Sequence, residues 1–146
     1  GSKTMRLIAS PGHSDDMLSV FVEEDRVLFA GDTIMPVPTI ADGDVEMMKR
    51  SLVKVLELQP ESIVQGHGEV ILRGEVQEIV RASIVYLDLI QQIVADAIAR
   101  GKRKETLLDV DIEKCGLSRV ALNGRAPQLH AVNLLTLYMR MQPHGG

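Results

Sequence analysis

Apolar positions in the first third of the chain fall in short runs separated by turn residues. Arg6-Leu7-Ile8-Ala9 is stopped by the breaker pair Pro11-Gly12, Leu18-Ser19-Val20-Phe21-Val22 by the polar turn Glu23-Glu24-Asp25-Arg26, and Val27-Leu28-Phe29-Ala30 by Gly31. The second and third runs, joined by about four polar residues, predict an antiparallel hairpin. A loop with Pro36 and Pro38 follows, and Asp42-Gly43-Asp44 offers a helix start. Val45, Met48, Leu52, Val55 and Leu56 then recur at offsets 0, 3, 7, 10 and 11, one face of an amphipathic helix over 44–58 that ends before Pro60. Ser62-Ile63-Val64-Gln65 reads as a short strand halted by Gly66-His67-Gly68, with a little more strand at Val70-Ile71-Leu72.

From about residue 75 the pattern turns helical. Residues 75–99 carry Val76, Ile79, Val80, Ile84, Leu87, Ile90, Val94, Ala97 and Ile98 without Pro or Gly, until Gly101 stops the run. At ~1.5 Å per residue this predicts a helix of roughly 38 Å, long enough to pack against more than its own sheet. The basic residues Arg100, Lys102, Arg103 and Lys104 suit its C-terminus as a solvated cap. Two shorter helices are expected near 104–114 and 127–141, separated by a loop at Asn123-Gly124-Arg125-Ala126-Pro127.

Composition narrows the function classes. A length of 146 residues with 45% apolar content suffices for one domain with its own core. The expected organisation is a β/α part over 1–73 and a helical part over 74–146, packed as one domain. A net charge of −4 and the absence of Trp argue against a nucleic-acid binder, which needs a basic surface and stacking platforms. Cys115 is the single cysteine, so no intrachain disulfide forms, and no stretch of about 18 uninterrupted apolar residues or signal-peptide pattern occurs. The expectation is a soluble, unprocessed, cytoplasmic protein without a membrane partner. Gly1-Ser2 reads as the scar of a cleaved tag.

Three strand ends carry candidate chemistry. His13 stands in Ser10-Pro11-Gly12-His13-Ser14 and His67 in Gln65-Gly66-His67-Gly68, each in a glycine-containing turn that lets an imidazole stand clear of the backbone. Between them Gly31-Asp32-Thr33 places a carboxylate at a third strand end. His, Asp and His at strand ends are the donor set of a hydrolytic zinc or other first-row metal site. Asp15 and Asp16 follow His13 and are possible auxiliary ligands, although an Asp pair after a turn is more often a cap. His130 and Asn133, beside Leu129 and Val132 on the last helix, read as packing or capping residues, and His144 as part of a disordered glycine-rich tail. Cys115 has no neighbouring histidine in sequence and does not read as a nucleophile.

The ordered set resembles the metallo-β-lactamase-fold hydrolases, especially the glyoxalase-II-like and lactamase-B-like-2 branches. The likeness runs from Ser10 to about Ile71 and includes Pro11-Gly12-His13-Ser14-Asp15-Asp16, Val27-Leu28-Phe29-Ala30-Gly31-Asp32-Thr33, the helix around Ser51-Leu52 and Ile63-Val64-Gln65-Gly66-His67-Gly68. The resemblance implies that His13 completes one metal site, Asp32 bridges two metals and His67 belongs to the second. It implies zinc or another divalent metal as cofactor, and hydrolysis of a thioester, lactone, lactam or phosphoester. Two positions depart from the pattern: Met17 stands where related branches carry a histidine, and Gln65 replaces a common proline.

The family's His-x-His-x-Asp-His motif lies upstream of the Pro-Gly-His turn, where this chain has nine residues. The chain therefore reads as an α/β protein built as the C-terminal half of a metallo-β-lactamase αββα sandwich. That means a small mixed sheet with helices on one face, followed by a helical C-terminal region. Half a sandwich leaves one apolar sheet face to be covered, and the expectation is a homodimer stacking two such faces, with the long helix joining the interface. A longer natural chain, of which this is a fragment, is the other possibility. Incomplete ligand shells predict weak or absent metal binding by the isolated chain and no robust hydrolysis. The alternative function is a non-catalytic homodimeric interaction module derived from that fold.

Overall fold

A computed structural model describes residues 1–142; His144 lies outside the described residues. Four strands, β1 (Met5–Ala9), β2 (Leu18–Val22), β3 (Val27–Gly31) and β4 (Ser62–Gln65), form one mixed sheet in the order β1-β2-β3-β4. The first three are antiparallel neighbours, β2 and β3 being joined by the short polar turn after Val22. β4 returns parallel to β3, which is possible because the helix α1 (Val45–Leu58) supplies the crossover. Ile71 adds only an isolated antiparallel bridge to Ile63, so the extra strand expected at 70–72 shrinks to one residue pair.

Helix α1 starts where the sequence offers a cap. The side chain of Asp44 accepts from the backbone N–H of Met47 at 2.8 Å, and Gln59 ends the helix in a left-handed conformation before Pro60. The long helix α2 (Val76–Ala99) lies against α1 and against α4 (Ala126–Met141). By length and composition α2 could cross a membrane, but here Val80, Tyr86, Leu87, Ile90 and Val94 are buried in the core of the fold. Lys49 reinforces the α1–α2 contact through Glu46, Asp88 and Gln91.

The helix expected over 104–114 is instead two 3-10 turns, Lys104–Asp109 and Ile112–Cys115. Val110 and Asp111 between them are extended, and the Asp111 carboxylate caps the N–H of Glu113. A carboxylate that prefers capping to a helix interior, next to a β-branched residue, breaks the run. A four-residue turn, α3 (Ala121–Gly124), then leads to α4, where Pro127 sits in the first turn and no backbone donor is missed.

One hydrophobic core joins Phe21, Leu28, Ala30 and Ile63 of the sheet to Met48, Leu52 and Val55 of α1 and continues through α2 to Leu134 and Leu137 of α4. All of this lies on one face of the sheet. The other face carries Met5, Leu7, Leu18 and Phe29 at 69%, 68%, 54% and 47% exposure. The expected arrangement of a small mixed sheet with helices on one face, followed by a helical region, is the one observed.

Candidate metal centre

His13, Asp32 and His67 come together at the ends of the strands. Asp32 occupies the turn after β3 and lies between the two imidazoles. Its Oδ2 is 3.6 Å from His13 Nε2 and its Oδ1 is 3.6 Å from His67 Nε2. The side chains of His13 and Asp32 are 29% and 30% exposed and that of His67 61%, so the group opens to solvent.

Local sequence explains the placement. The Ser10–Met17 loop closes on itself through Ser10 N–H to Met17 O at 2.9 Å, and the Ser51 hydroxyl donates to the carbonyl of Pro11 at 2.6 Å. Gly12 has φ +140°, and a Cβ there would sit 2.3 Å from the Cα of Met48, so the loop can lie on α1 only with glycine. Thr33 ties the Asp32 turn to the same loop, its buried hydroxyl donating to Ser10 Oγ at 2.9 Å while Ser10 and Ser19 share a hydrogen bond of 2.8 Å. On the other side Gly66 N–H donates to Gly31 O at 2.7 Å, bringing the end of β4 beside the end of β3. A Cβ on Gly66 would lie 2.0 Å from Asp32 Oδ1. The glycine before His67 therefore makes room for the carboxylate.

The orientation of His13 is chemically constrained. Its Nδ1 lies 3.1 Å from the carbonyl oxygen of Thr39. A carbonyl only accepts, so Nδ1 carries a proton and donates, and in the neutral ring the lone pair is on Nε2, which faces the carboxylate oxygen of Asp32. In that neutral form Nε2 and the carboxylate oxygen are two acceptors 3.6 Å apart, which a cation between them would join. An imidazole whose far nitrogen donates to a carbonyl is the arrangement in which metal-binding histidines are held. The donor set therefore fits a divalent cation, with Asp32 offering one oxygen towards each imidazole. Among the described residues no three His, Cys, Asp or Glu side chains are grouped so that they could hold one ion together.

Asp15 and Asp16 are exposed, and the carboxylate of Asp16 accepts from the Ser14 hydroxyl at 2.8 Å, which makes it part of the turn. Cys115 is buried, and burial pushes its thiol pKa up, away from nucleophile chemistry. His130 is buried with Nδ1 3.0 Å from the Tyr86 hydroxyl, and burial lowers its pKa.

Two features of the site carry no sequence signal of the kind the histidines do. The Thr39 carbonyl is a backbone group in an irregular strap. A cleft of about 1180 Å³ borders His67, with Met35 and Gln65 on one side and Leu122, Arg125 and Leu129 on the other. Its far wall belongs to α3 and the start of α4, which reach the site only through the fold.

Residues 1–67 match the sequence model of the metallo-beta-lactamase superfamily. A beta-lactamase-like protein 2 homolog from Caenorhabditis elegans is 41% identical over 68 residues, covering 47% of this chain and 23% of that protein. An atrochrysone carboxyl ACP thioesterase from Aspergillus fumigatus is 35% identical over 68 residues, covering 47% of this chain and 22% of that protein. The chain thus spans less than a quarter of the length of these relatives. Among solved structures, a metallo-beta-lactamase family protein from Thermus thermophilus superposes with a TM-score of 0.61 at 21% identity, over 94% of this chain and 44% of that one. The structural likeness takes in the C-terminal helices, beyond the reach of the sequence match. The chain is metallo-beta-lactamase-like, in sequence over residues 1–67 and in fold over nearly its whole length.

Proposed function

We propose that this chain carries part of the centre of a metal-dependent hydrolase, with His13 and Asp32 facing one cation and Asp32 and His67 facing a second. The observation that supports this is the placement of Asp32 between two imidazoles, one carboxylate oxygen 3.6 Å from each Nε2, with Nδ1 of His13 held by the Thr39 carbonyl. Zinc is the cation that a histidine and carboxylate donor set suits best. Such a cation would supply Lewis acidity, polarising a carbonyl or phosphoryl oxygen and acidifying a water. The residues of this chain would bind and orient it, and the cleft beside His67 would hold the substrate. A thioester, lactone, lactam or phosphoester is the substrate class. One relative carries the name of a thioesterase, which favours an acyl substrate.

Each cation would take two protein groups from this chain, fewer than the three or four of a working zinc site. The isolated chain should therefore bind zinc weakly and hydrolyse little. Titration with zinc, followed by NMR of the imidazoles, tests the reading. His13 and His67 should respond together, with a dissociation constant weaker than about micromolar, and Asp32→Ala should abolish the response. Two histidines that ignore zinc, or respond equally without Asp32, would overturn it.

A second reading is favoured by the open sheet face: a non-catalytic module that pairs as a homodimer through Met5, Leu7, Leu18 and Phe29. A dimer that holds no zinc in either half-site would support that reading over the first.

A further inference from the structure

The strap between Asp32 and α1 is buried at Val37, Pro38, Thr39 and Ile40 although it has no regular structure. Buried irregular backbone needs hydrogen-bond partners from elsewhere. Two residues of α4 supply them. Asn133, fully buried, donates from Nδ2 to the Pro38 carbonyl at 2.6 Å and accepts at Oδ1 from the Ile40 N–H at 3.1 Å, gripping the peptide groups on both sides of Thr39. Arg140, exposed at the end of the same helix, donates to the carbonyls of Ile40, Ala41 and Gly43. Asn133 is itself anchored, because Nδ2 also donates to the Tyr86 hydroxyl at 3.1 Å. The Thr39 carbonyl, between these two grips, faces His13 Nδ1 at 3.1 Å.

We propose that Asn133 and Arg140 are positioning residues for His13, fixing its tautomer and direction from α4 through the Thr39 carbonyl. The C-terminal helix is then part of the centre although it contributes no donor to it. The consequence for cation binding rests on the metal-centre reading above; the consequence for the imidazole does not.

The test uses the whole chain, metal-free and at a pH where histidines are neutral, with 15N NMR of the imidazoles. Wild-type His13 should be in the Nδ1–H tautomer. Arg140→Ala and Asn133→Ala should shift it towards the Nε2–H form that free histidine prefers, while His67 keeps its wild-type signals. Arg140 is exposed, so its variant should fold even if Asn133→Ala does not. A zinc titration of the Arg140→Ala protein should then show a His13 response weakened about tenfold, the scale on which such supporting bonds act. An unchanged His13 tautomer in a folded Arg140→Ala protein overturns the proposal, and so does a change that His67 shares in full. If zinc moves neither imidazole in the wild type, the metal-centre reading fails, and a selective tautomer change still upholds the positioning role.

Discussion

The Nε2 of His13 faces the Oδ2 of Asp32 at 3.6 Å, while the opposite ring nitrogen, Nδ1, donates to the Thr39 carbonyl at 3.1 Å. This pairing makes the site dependent on the position of the carboxylate, and that position depends on a glycine. Gly66→Ala would place a Cβ 2.0 Å from Asp32 Oδ1 and 2.8 Å from the Gly31 carbonyl carbon. Backbone atoms cannot move aside as a flexible side chain would. The expected loss is about 1–3 kcal/mol of stability, measured by urea denaturation, together with loss of the shared zinc response of His13 and His67.

The buried hydroxyls of Ser10, Ser19 and Thr33 hold the His13 loop to the Asp32 turn. Thr33→Val keeps the shape but removes the donor to Ser10, leaving Ser10 Oγ with one partner fewer in a buried setting. A cost of about 1–3 kcal/mol is expected in denaturant titration. Ser14→Ala, in the exposed part of the same loop, should change stability far less.

Much of this site can be read from the chain because its donors are side chains in glycine turns at strand ends. His13, Asp32 and His67 each follow an apolar run that must be a strand, and parallel β3 and β4 bring two of those ends side by side. The hairpin, α1 and α2 are legible for the same reason: period-two and period-3.6 patterns each with a clear stop. What the chain hides is contact between distant segments. Asn133 and His130 read as packing residues on α4, and nothing in the sequence pairs Asn133 with Pro38, 95 positions earlier. The 3-10 break at Val110-Asp111 is similarly local competition, where a carboxylate satisfies a turn better than it satisfies a helix.

His130 gives the fold a pH dependence. The Tyr86 hydroxyl, which accepts from Asn133 Nδ2, shares a hydrogen bond of 3.0 Å with His130 Nδ1. Burial lowers the pKa of His130 from its ordinary 6.5, so the unfolded chain binds the proton more readily than the folded one. Its contribution to stability is therefore complete above about pH 6.5 and is lost as pH falls towards the lower folded value. Wild-type protein should lose more stability between pH 7 and pH 5 than His130→Gln does, by chemical denaturation. Equal losses in the two proteins would show that His130 is free to charge in place.

The open sheet face leads to a prediction about assembly. Leu7, Val20, Phe29 and Val64 stand in register across all four strands, in a continuous apolar row on the side away from the helices. At about 25 cal/mol per Å², covering a few hundred Å² of such a face is worth several kcal/mol, a driving force for self-association. Sedimentation of the chain should show a dimer, and Leu7→Lys should shift it to monomer. Because Leu7 is 68% exposed, that change should leave the melting temperature of the monomeric fold nearly unaltered. A wild-type monomer at tens of micromolar would remove the homodimer reading. A dimer indifferent to Leu7→Lys and Phe29→Lys would place the contact elsewhere, with exposed Val85 and Leu89 of α2 the next surface to substitute.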